Sequence, residues 1–307
     1  MNWWATLCLL LGTAVTAADL GTLLDDGERN QLRKWYHTHV DKVNRTYFAE
    51  LTPFQLVFMH GGLLQHYFEK PRYALIGASD GVSDHFLVNF VGIQSAWSSI
   101  MVEPVASNVK ALFNYIDDKE MRNRTTVIHA ACTGVCTSTT VTIHIPKFEE
   151  QFPDLPHWLR RQLATMSQPN MTYINQVLNG YQQYRRPPGK ERNYNDLFDN
   201  QNVPCVETMS LLRRWPSSTE AKRAHFLSVD AEGQDVNIIV GLLASTTPRY
   251  LLPLLLMLEI KSLSVEEVKR LERLLLFRGY LFSALFKGGE VEGDVFAILQ
   301  GRQRFMR

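Results

Sequence analysis

The chain contains the stretch Ile76-Gly77-Ala78-Ser79-Asp80-Gly81, followed further along by Val102-Glu103-Pro104. This order predicts a strand, a tight glycine turn, a helix, and a second strand that ends in a carboxylate. In doubly wound α/β sheets the glycines of such a turn let the backbone approach a ligand, and the carboxylate accepts hydrogen bonds from both hydroxyls of a ribose. The pattern therefore predicts a pocket for a nucleoside cofactor.

Apolar strands alternate with amphipathic helices along most of the chain. A helix that begins at Ser264 is indicated by the capping box Ser264-Val265-Glu266-Glu267, and Gly279 is the predicted stop of that helix. The alternation is typical of an α/β protein with a mainly parallel sheet, finished here by an antiparallel pair. The predicted strands cover residues 73–76, 99–102, 125–131, 139–145, 224–230 and 251–260, with a closing hairpin at 280–285 and 294–299.

The composition is that of an ordinary globular protein. The 307 residues include 32 basic and 31 acidic side chains, which give a formal net charge of +1, and 45% of the residues are hydrophobic. A chain of this size and composition can bury a large core. Because the charges are balanced and scattered, nothing indicates a nucleic acid partner or a polybasic membrane patch.

The first eighteen residues differ from the rest. Residues 3–11 are an apolar run and residues 12–18 are mostly small, which is typical of a secretory signal peptide, with an uncleaved anchor as the alternative. Three glycosylation sequons begin at Asn44, Asn123 and Asn170. The sequence thus predicts a protein of the secretory lumen, or a secreted one, with no stable membrane span after cleavage.

A less regular segment interrupts the second half of the chain. Residues 148–202 hold several prolines and the polar run 185–190, with helical character predicted at 158–166. Long insertions of this kind often carry function, so we interpret the segment as a lid or a substrate-recognition element. The alternative is a surface excursion without a role.

Four cysteines limit the disulfide and metal possibilities. Cys8 would leave with the signal peptide, so Cys132, Cys136 and Cys205 would remain. Three cysteines cannot form a closed disulfide framework, and their spacing does not match a zinc site. A Cys132–Cys136 bridge is possible, but structural thiols are the preferred interpretation, and no metal is predicted.

Carboxylates follow several of the predicted strands. Asp80, Glu103, Asp230 and Glu232 stand where the ligands of open α/β sheets bind, although Asp80 and Asp230 could instead cap helices. An acidic glycine turn would repel the pyrophosphate of a dinucleotide. It suits a cationic cofactor without phosphates, and S-adenosylmethionine has that character.

Residues 76–81, 102–104, 130–131, 203–209, 226–233 and 258–264 follow one another in an order that resembles the FkbM-type methyltransferases, a class I S-adenosylmethionine-dependent family. The resemblance covers roughly residues 70–285 and implies a doubly wound, seven-stranded Rossmann-like sheet. It also implies a domain order of signal peptide 1–18, helical extension 19–70, and methyltransferase domain 71–307 with the insertion 148–202.

The resemblance also implies roles for individual residues. Gly77, Ala78, Asp80 and Gly81 would line the methionine side of S-adenosylmethionine, and Glu103 would hold the ribose. Further along the chain, Ala130 and Ala131 would flank the adenine, while Asp230 and Glu232 would face the methyl group and the acceptor. One departure concerns Leu75, because many relatives have an acidic or amide residue there.

The sequence therefore predicts a methyltransferase that acts on a hydroxyl of a sugar, glycan or similar small acceptor. Asp230 or Glu232 would be the general base, with His129 a third choice that is more often a core histidine. A binding protein that has lost turnover is the alternative, favoured by Leu75. A nicotinamide oxidoreductase is disfavoured by the acidic turn. Neither the acceptor nor the oligomeric state follows from the sequence.

Overall fold

The structure is a computed structural model that describes most of the chain beyond residue 67. The predicted signal peptide, nearly all of the helical extension, Asn44 and Glu232 lie outside the described residues. The described residues are 64, 68–82, 84, 86–156, 164–166, 169–187, 189–215, 223–231, 233–244, 246–247, 251–260, 263–287 and 290–299.

One sheet forms the centre of the molecule. Its strand order is β3-β2-β1-β7-β8-β10-β9, in which the first five strands are parallel and the last two form an antiparallel hairpin. The prediction of a mainly parallel α/β sheet that ends in a hairpin is confirmed. Its strands are β1 (Arg72–Ile76), β2 (Ser98–Glu103), β3 (Thr125–His129), β7 (Phe226–Val229), β8 (Leu255–Glu259), β9 (Tyr280–Lys287) and β10 (Glu290–Leu299).

A second, three-stranded sheet lies beside the carboxyl ends of the main sheet. Its strands are β4 (Ala131–Thr133), β5 (Thr140–Pro146) and β6 (Phe198–Glu207), in the order β4-β6-β5. The prediction of one strand over residues 125–131 is therefore wrong. β3 ends at His129, and the chain leaves the main sheet at Ala130, whose N–H donates to the Glu103 carbonyl at 3.2 Å.

The helix predicted between the glycine turn and β2 is a five-residue π-helical turn, Leu87–Val91, in the described part of the chain. The capping box of the helix after Ser264 is confirmed, because Ser264 Oγ accepts from the Glu267 N–H at 3.3 Å and Glu267 Oε2 accepts from the Ser264 N–H at 2.8 Å. The helices are α1 (Ala106–Asp118), α2 (Phe148–Gln151), α3 (Met171–Gly180), α4 (Tyr194–Leu197), α5 (Thr208–Leu211), α6 (Asp235–Leu242) and α7 (Val265–Phe277), with a π-helical turn at Leu87–Val91 and a 3₁₀ turn at Gln182–Tyr184.

Two hydrophobic clusters cover the two faces of the main sheet. In β1, Ala74 and Ile76 pack into one cluster, whereas Tyr73 and Leu75 pack into the other, as the alternation of side chains along a strand requires. Each buried aliphatic side chain stabilises the fold by about 1.5–3 kcal/mol. The sheet is therefore packed on both faces, and the turns at the carboxyl ends of its strands are attached to a rigid structure.

The insertion is more ordered than its composition indicates. It contains α2, α3 and α4 around a core of its own, and its last residues belong to β6. Residues 157–163, part of the predicted helix at 158–166, lie outside the described residues, while Ala164–Met166 are not helical. Among the described residues, no helix is both long enough and apolar enough to cross a membrane.

The cysteine prediction is wrong. Cys136 and Cys205 form a disulfide, with their Cα atoms 6.0 Å apart, and Cys132 is a buried free thiol. The bridge exists because β4 pairs with β6, so the loop after β4 meets the strand that contains Cys205. The two cysteines are 69 residues apart, and their spacing gives no hint of this pairing.

Candidate functional site

A cleft opens at the carboxyl ends of β1, β2 and β7. It lies at the point where the strand order reverses, because β2 and β3 follow on one side of β1 while β7 and β8 follow on the other. Ligands of open α/β sheets bind at this position. The start of β4 and residues Ala164–Met166 of the insertion contribute further walls.

The glycine turn after β1 forms the edge of the cleft. Gly77 has a φ of +84°, and a Cβ atom at this position would lie 1.7 Å from the Asp230 carbonyl oxygen. Only glycine fits so close to another backbone, so the turn packs directly against the end of β7. The N–H groups of Gly77 and Ala78 both donate to the Val102 carbonyl at 3.0 Å, which joins the turn to β2.

Glu103 is the buried carboxyl group of the cleft, and its side chain is 4% exposed. Its Oε2 accepts from the Ser79 N–H at 2.8 Å, while its Oε1 accepts from the Val105 N–H at 2.9 Å and from Asn108 Nδ2 at 3.2 Å. Burial raises the pKa of Glu103 to about 7, and the negative charge of the nearby Asp80 contributes to this rise. The three hydrogen bonds act in the opposite direction and lower the pKa, because they stabilise the charged form. The carboxyl group is thus fixed in position at the end of β2.

The other residues of the predicted methionine side lie behind this wall. Ala78 packs into the hydrophobic cluster that contains Leu75. Asp80 is buried, and its Oδ1 accepts from the Val82 N–H at 3.1 Å within the turn, whereas the alternative drawn from the sequence was a helix cap. A Cβ atom at Gly81 would lie 2.8 Å from Leu112 Cδ1, and the φ of +81° also favours glycine there. Gly77 lines the cleft, whereas Ala78, Asp80 and Gly81 support the turn.

Ala130 and Ala131 line the opposite wall, where small side chains leave space for a flat group. Cys132 lies beside them, and burial raises the pKa of its thiol to about 12, so the thiol stays protonated. Ile143 and Thr165 complete this wall, and Thr165 is held by paired backbone hydrogen bonds with His144. The insertion therefore contributes to the cleft.

Asp230 lines the cleft directly after β7, and its N–H donates to the Ile76 carbonyl at 2.9 Å. The following turn is held by Asp235, whose carboxylate accepts from the N–H groups of Ala231 and Gly233 at 3.1 and 3.2 Å. Burial raises the pKa of Asp235 to about 6. The structure places Asp230 and Glu103 in the same cleft, as the sequence predicted for their positions.

Sequence reasoning missed Ser79, Asn108, Asp235 and Thr165. Asn108 lies in the first turn of α1, and the N-terminus of a helix beside a buried carboxylate could have indicated it. Asp235 follows Asp230 at a spacing that suits a turn cap, which is also a local signal. No local signal places Thr165 in the cleft, because its position depends on the pairing with His144.

Two further predicted residues lie away from the cleft. The side chain of His129 is exposed at the end of β3, and its Nε2 lies 3.0 Å from the Pro104 carbonyl oxygen. Leu75 is 1% exposed and faces the hydrophobic cluster on one side of the main sheet. No group of three or more potential metal ligands occurs among the described residues.

A scan against protein-family models and a search of curated proteins find no match. Similar solved structures include a methyltransferase FkbM from Methylobacillus flagellatus (14% identity, TM-score 0.44, 96% of this chain and 60% of that one). Others are an O-methyltransferase from Bacillus cereus in complex with S-adenosylhomocysteine, or SAH (12%, 0.37, 93% and 98%), and a fibrillarin from Aeropyrum pernix with natively bound S-adenosylmethionine (11%, 0.36, 75% and 67%).

The chain thus spans about 60% of the length of the FkbM structure. One of the similar structures bears the name of the family that the sequence resembles. At TM-scores below 0.5, these likenesses carry no argument about function. A function for this protein is therefore argued from the residues of the cleft alone.

Proposed function

We propose that the cleft binds S-adenosylmethionine and that the protein is a class I methyltransferase. The observation that carries the proposal is Glu103, a buried carboxylate at the end of β2 that three donors hold beside the Gly77 turn. A carboxylate in this place can accept hydrogen bonds from ribose hydroxyls. Oε2 accepts one hydrogen bond from the described residues, which leaves its second lone pair for a ligand.

The charge of the cleft favours this cofactor over a dinucleotide. Among the described residues that line the cleft there is no lysine, arginine or histidine, whereas Glu103 and Asp230 are both acidic. A pyrophosphate would be repelled here, while a sulfonium and an ammonium group would be attracted. The wall at Ala130 and Ala131 leaves room for an adenine ring.

Asp230 is the proposed general base for a hydroxyl acceptor, together with Glu232. When bound, S-adenosylmethionine supplies an electrophilic methyl group. Asp230 lies at the end of β7 in the same cleft as Glu103, so an acceptor hydroxyl that reaches it would be held beside the cofactor site. The role of the base is to take the proton from that hydroxyl, and fixed positioning of the reactants accounts for much of the remaining rate.

The acceptor is proposed to be a sugar, glycan or similar hydroxylated compound in the secretory pathway. The Cys136–Cys205 disulfide supports an oxidising compartment, because such bonds persist mainly in secreted and lumenal proteins. The sequon residues Asn123 and Asn170 are both exposed, as glycosylation would require. The apolar residues at 1–18 support entry into that pathway.

A binding protein without turnover is the second candidate, and Leu75 is the observation that favours it. Leu75 fills its position with a buried apolar side chain, so the polar contact that many members of the resembled family offer there is missing. A cofactor held with one contact fewer would bind more weakly or in a position unsuited to transfer.

Calorimetric titration of the protein with SAH, S-adenosylmethionine and NAD tests the proposal. We expect binding of the first two in the micromolar range and none of NAD, because the acidic cleft repels its pyrophosphate. A binding signal with NAD alone, or the absence of a signal with all three compounds, would contradict the proposed function.

Turnover distinguishes the two candidates. Incubation with a radiolabelled methyl donor and a pool of glycans should label an acceptor if the protein is an enzyme. The Asp230→Asn variant should then label it at least a hundredfold more slowly at unchanged SAH affinity, because general-base assistance is typically worth that much. Equal rates for Asp230→Asn and the wild type would remove Asp230 from the role of base.

A further inference from the structure

Ser79 occupies an unfavourable backbone conformation in the glycine turn. Its φ is +48°, in the left-handed region that glycine adopts freely and other residues rarely adopt. The glycines on either side of it, Gly77 and Gly81, also have positive φ values, +84° and +81°. Glycine would be the least strained residue at position 79 as well, so the serine side chain is kept there at a cost in stability.

The Ser79 hydroxyl makes no hydrogen bond with the described residues that would offset this loss of stability. Its Oγ is buried and has no partner among the described residues. The hydrogen bond that joins Ser79 to Glu103 comes from the backbone N–H, which a glycine would supply equally well. Both the strain and the unsatisfied hydroxyl therefore belong to the side chain, and neither is explained by the ligand-free fold.

The position of Ser79 explains both features. Ser79 lines the cleft, and its N–H lies 2.8 Å from Oε2 of Glu103, the oxygen with an open lone pair. A serine hydroxyl rotates about a single bond and can both donate and accept. A ligand hydroxyl that reaches Oε2 of Glu103 would therefore lie beside the Ser79 backbone, and the buried Oγ would meet it after rotation about the Cα–Cβ bond.

We propose that Ser79 is a ligand-contacting residue whose hydroxyl hydrogen-bonds the ribose of the bound nucleoside beside Glu103. This inference rests on the proposed function of the cleft. Glu103 supplies acceptors, and Ser79 adds a group that can also donate, so the pair recognises a ribose hydroxyl from two sides. The strain at position 79 is then a cost of ligand recognition, as strained residues at binding sites often are.

The test compares Ser79→Gly and Ser79→Ala with the wild type in two measurements. Thermal unfolding without ligand reports the backbone strain, and calorimetric titration with SAH reports binding. Ser79→Gly should unfold about 2–4 °C higher, because glycine relieves the positive φ. Both variants should bind SAH roughly three- to tenfold more weakly, the usual effect of losing one hydrogen bond.

Glu120→Gly is the matched control. Glu120 is the other described non-glycine residue with positive φ, at +53°, and it is exposed beyond the far end of α1. A 13-residue helix is roughly 20 Å long, so Glu120 lies well away from the cleft. Its replacement by glycine should raise the unfolding temperature and leave SAH affinity unchanged.

A second ligand locates the contact. 5′-Methylthioadenosine keeps the ribose but lacks the amino acid group, so both Ser79 variants should weaken its binding by the same factor as they weaken that of SAH. A loss confined to SAH would place the contact on the amino acid group and overturn the ribose assignment. Wild-type affinity for SAH in both variants would overturn the inference alone, whereas a wild-type protein that binds neither ligand would overturn the proposed function with it.

Discussion

Glu103 is the residue on which ligand binding in the cleft should depend most. It is buried, held by three hydrogen-bond donors, and has a pKa raised to about 7 because burial disfavours its charged form. The neutral and the charged forms are therefore both populated near neutral pH. A ribose hydroxyl is bound better by the charged form, which is the stronger acceptor.

SAH affinity should therefore rise with pH across the pKa of Glu103. Below pH 7 a proton has to leave before the ligand binds to the carboxylate, so affinity should fall by up to tenfold per pH unit. Titrations between pH 6 and 8.5 measure this change. The Glu103→Gln variant should bind more weakly at pH 8 and should lose the pH dependence.

The exposed Glu266 of α7 provides the control, since the SAH affinity of Glu266→Gln should depend on pH as that of the wild type does. SAH affinity that is constant with pH in the wild type would contradict this account of Glu103.

The pKa shift of Glu103 has the opposite effect on the stability of the ligand-free protein. Because the pKa of Glu103 in the folded protein lies above its usual value of 4.5, the stabilisation is present below that value and is lost as pH rises to about 7.

The second sheet is the element that connects the insertion to the cleft. In β4, Ala131 lies opposite Cys205 of β6, and Cys205 is bonded to Cys136 in the loop after β4. Ala131 and Cys132 of the same short strand line the cleft. The disulfide therefore stabilises one wall of the cleft as well as the insertion.

Reduction of this disulfide should lower the free energy of unfolding by about 2–4 kcal/mol, because a closed loop of 69 residues restricts the unfolded chain. Urea denaturation with and without a reductant measures the change. In the Cys136→Ser/Cys205→Ser double variant the reductant should have no further effect, since Cys132 is not bridged. An unfolding midpoint that the reductant leaves unchanged in the wild type would contradict this role.

The elements that the sequence predicts correctly are those with local signals. The β1–turn–β2 unit follows from its glycines and from Glu103, and α7 follows from its capping box at Ser264. The break between β3 and β4 could not be predicted, because residues 125–131 contain no glycine or proline that would end a strand, and only the pairing of β4 with β6 separates the two strands. The disulfide depends on that pairing and was missed for the same reason.

At the scale of the whole molecule, the cleft is assembled from segments that are distant in the chain. The β1 turn and Glu103 come from the first half of the sheet, Asp230 follows β7, and Ala164–Met166 come from the insertion. The sequence predicted the contributions of the strand ends, since parallel strands bring these ends together. It predicted a lid or recognition role for the insertion without indicating which residues reach the cleft.

A crystal structure of the protein soaked with SAH tests the central claim most directly. Difference density should place the ribose within hydrogen-bond distance of Glu103 and the adenine against Ala130 and Ala131, with the sulfur directed towards Asp230. Density in another part of the molecule, or an empty cleft at saturating SAH, would contradict the account.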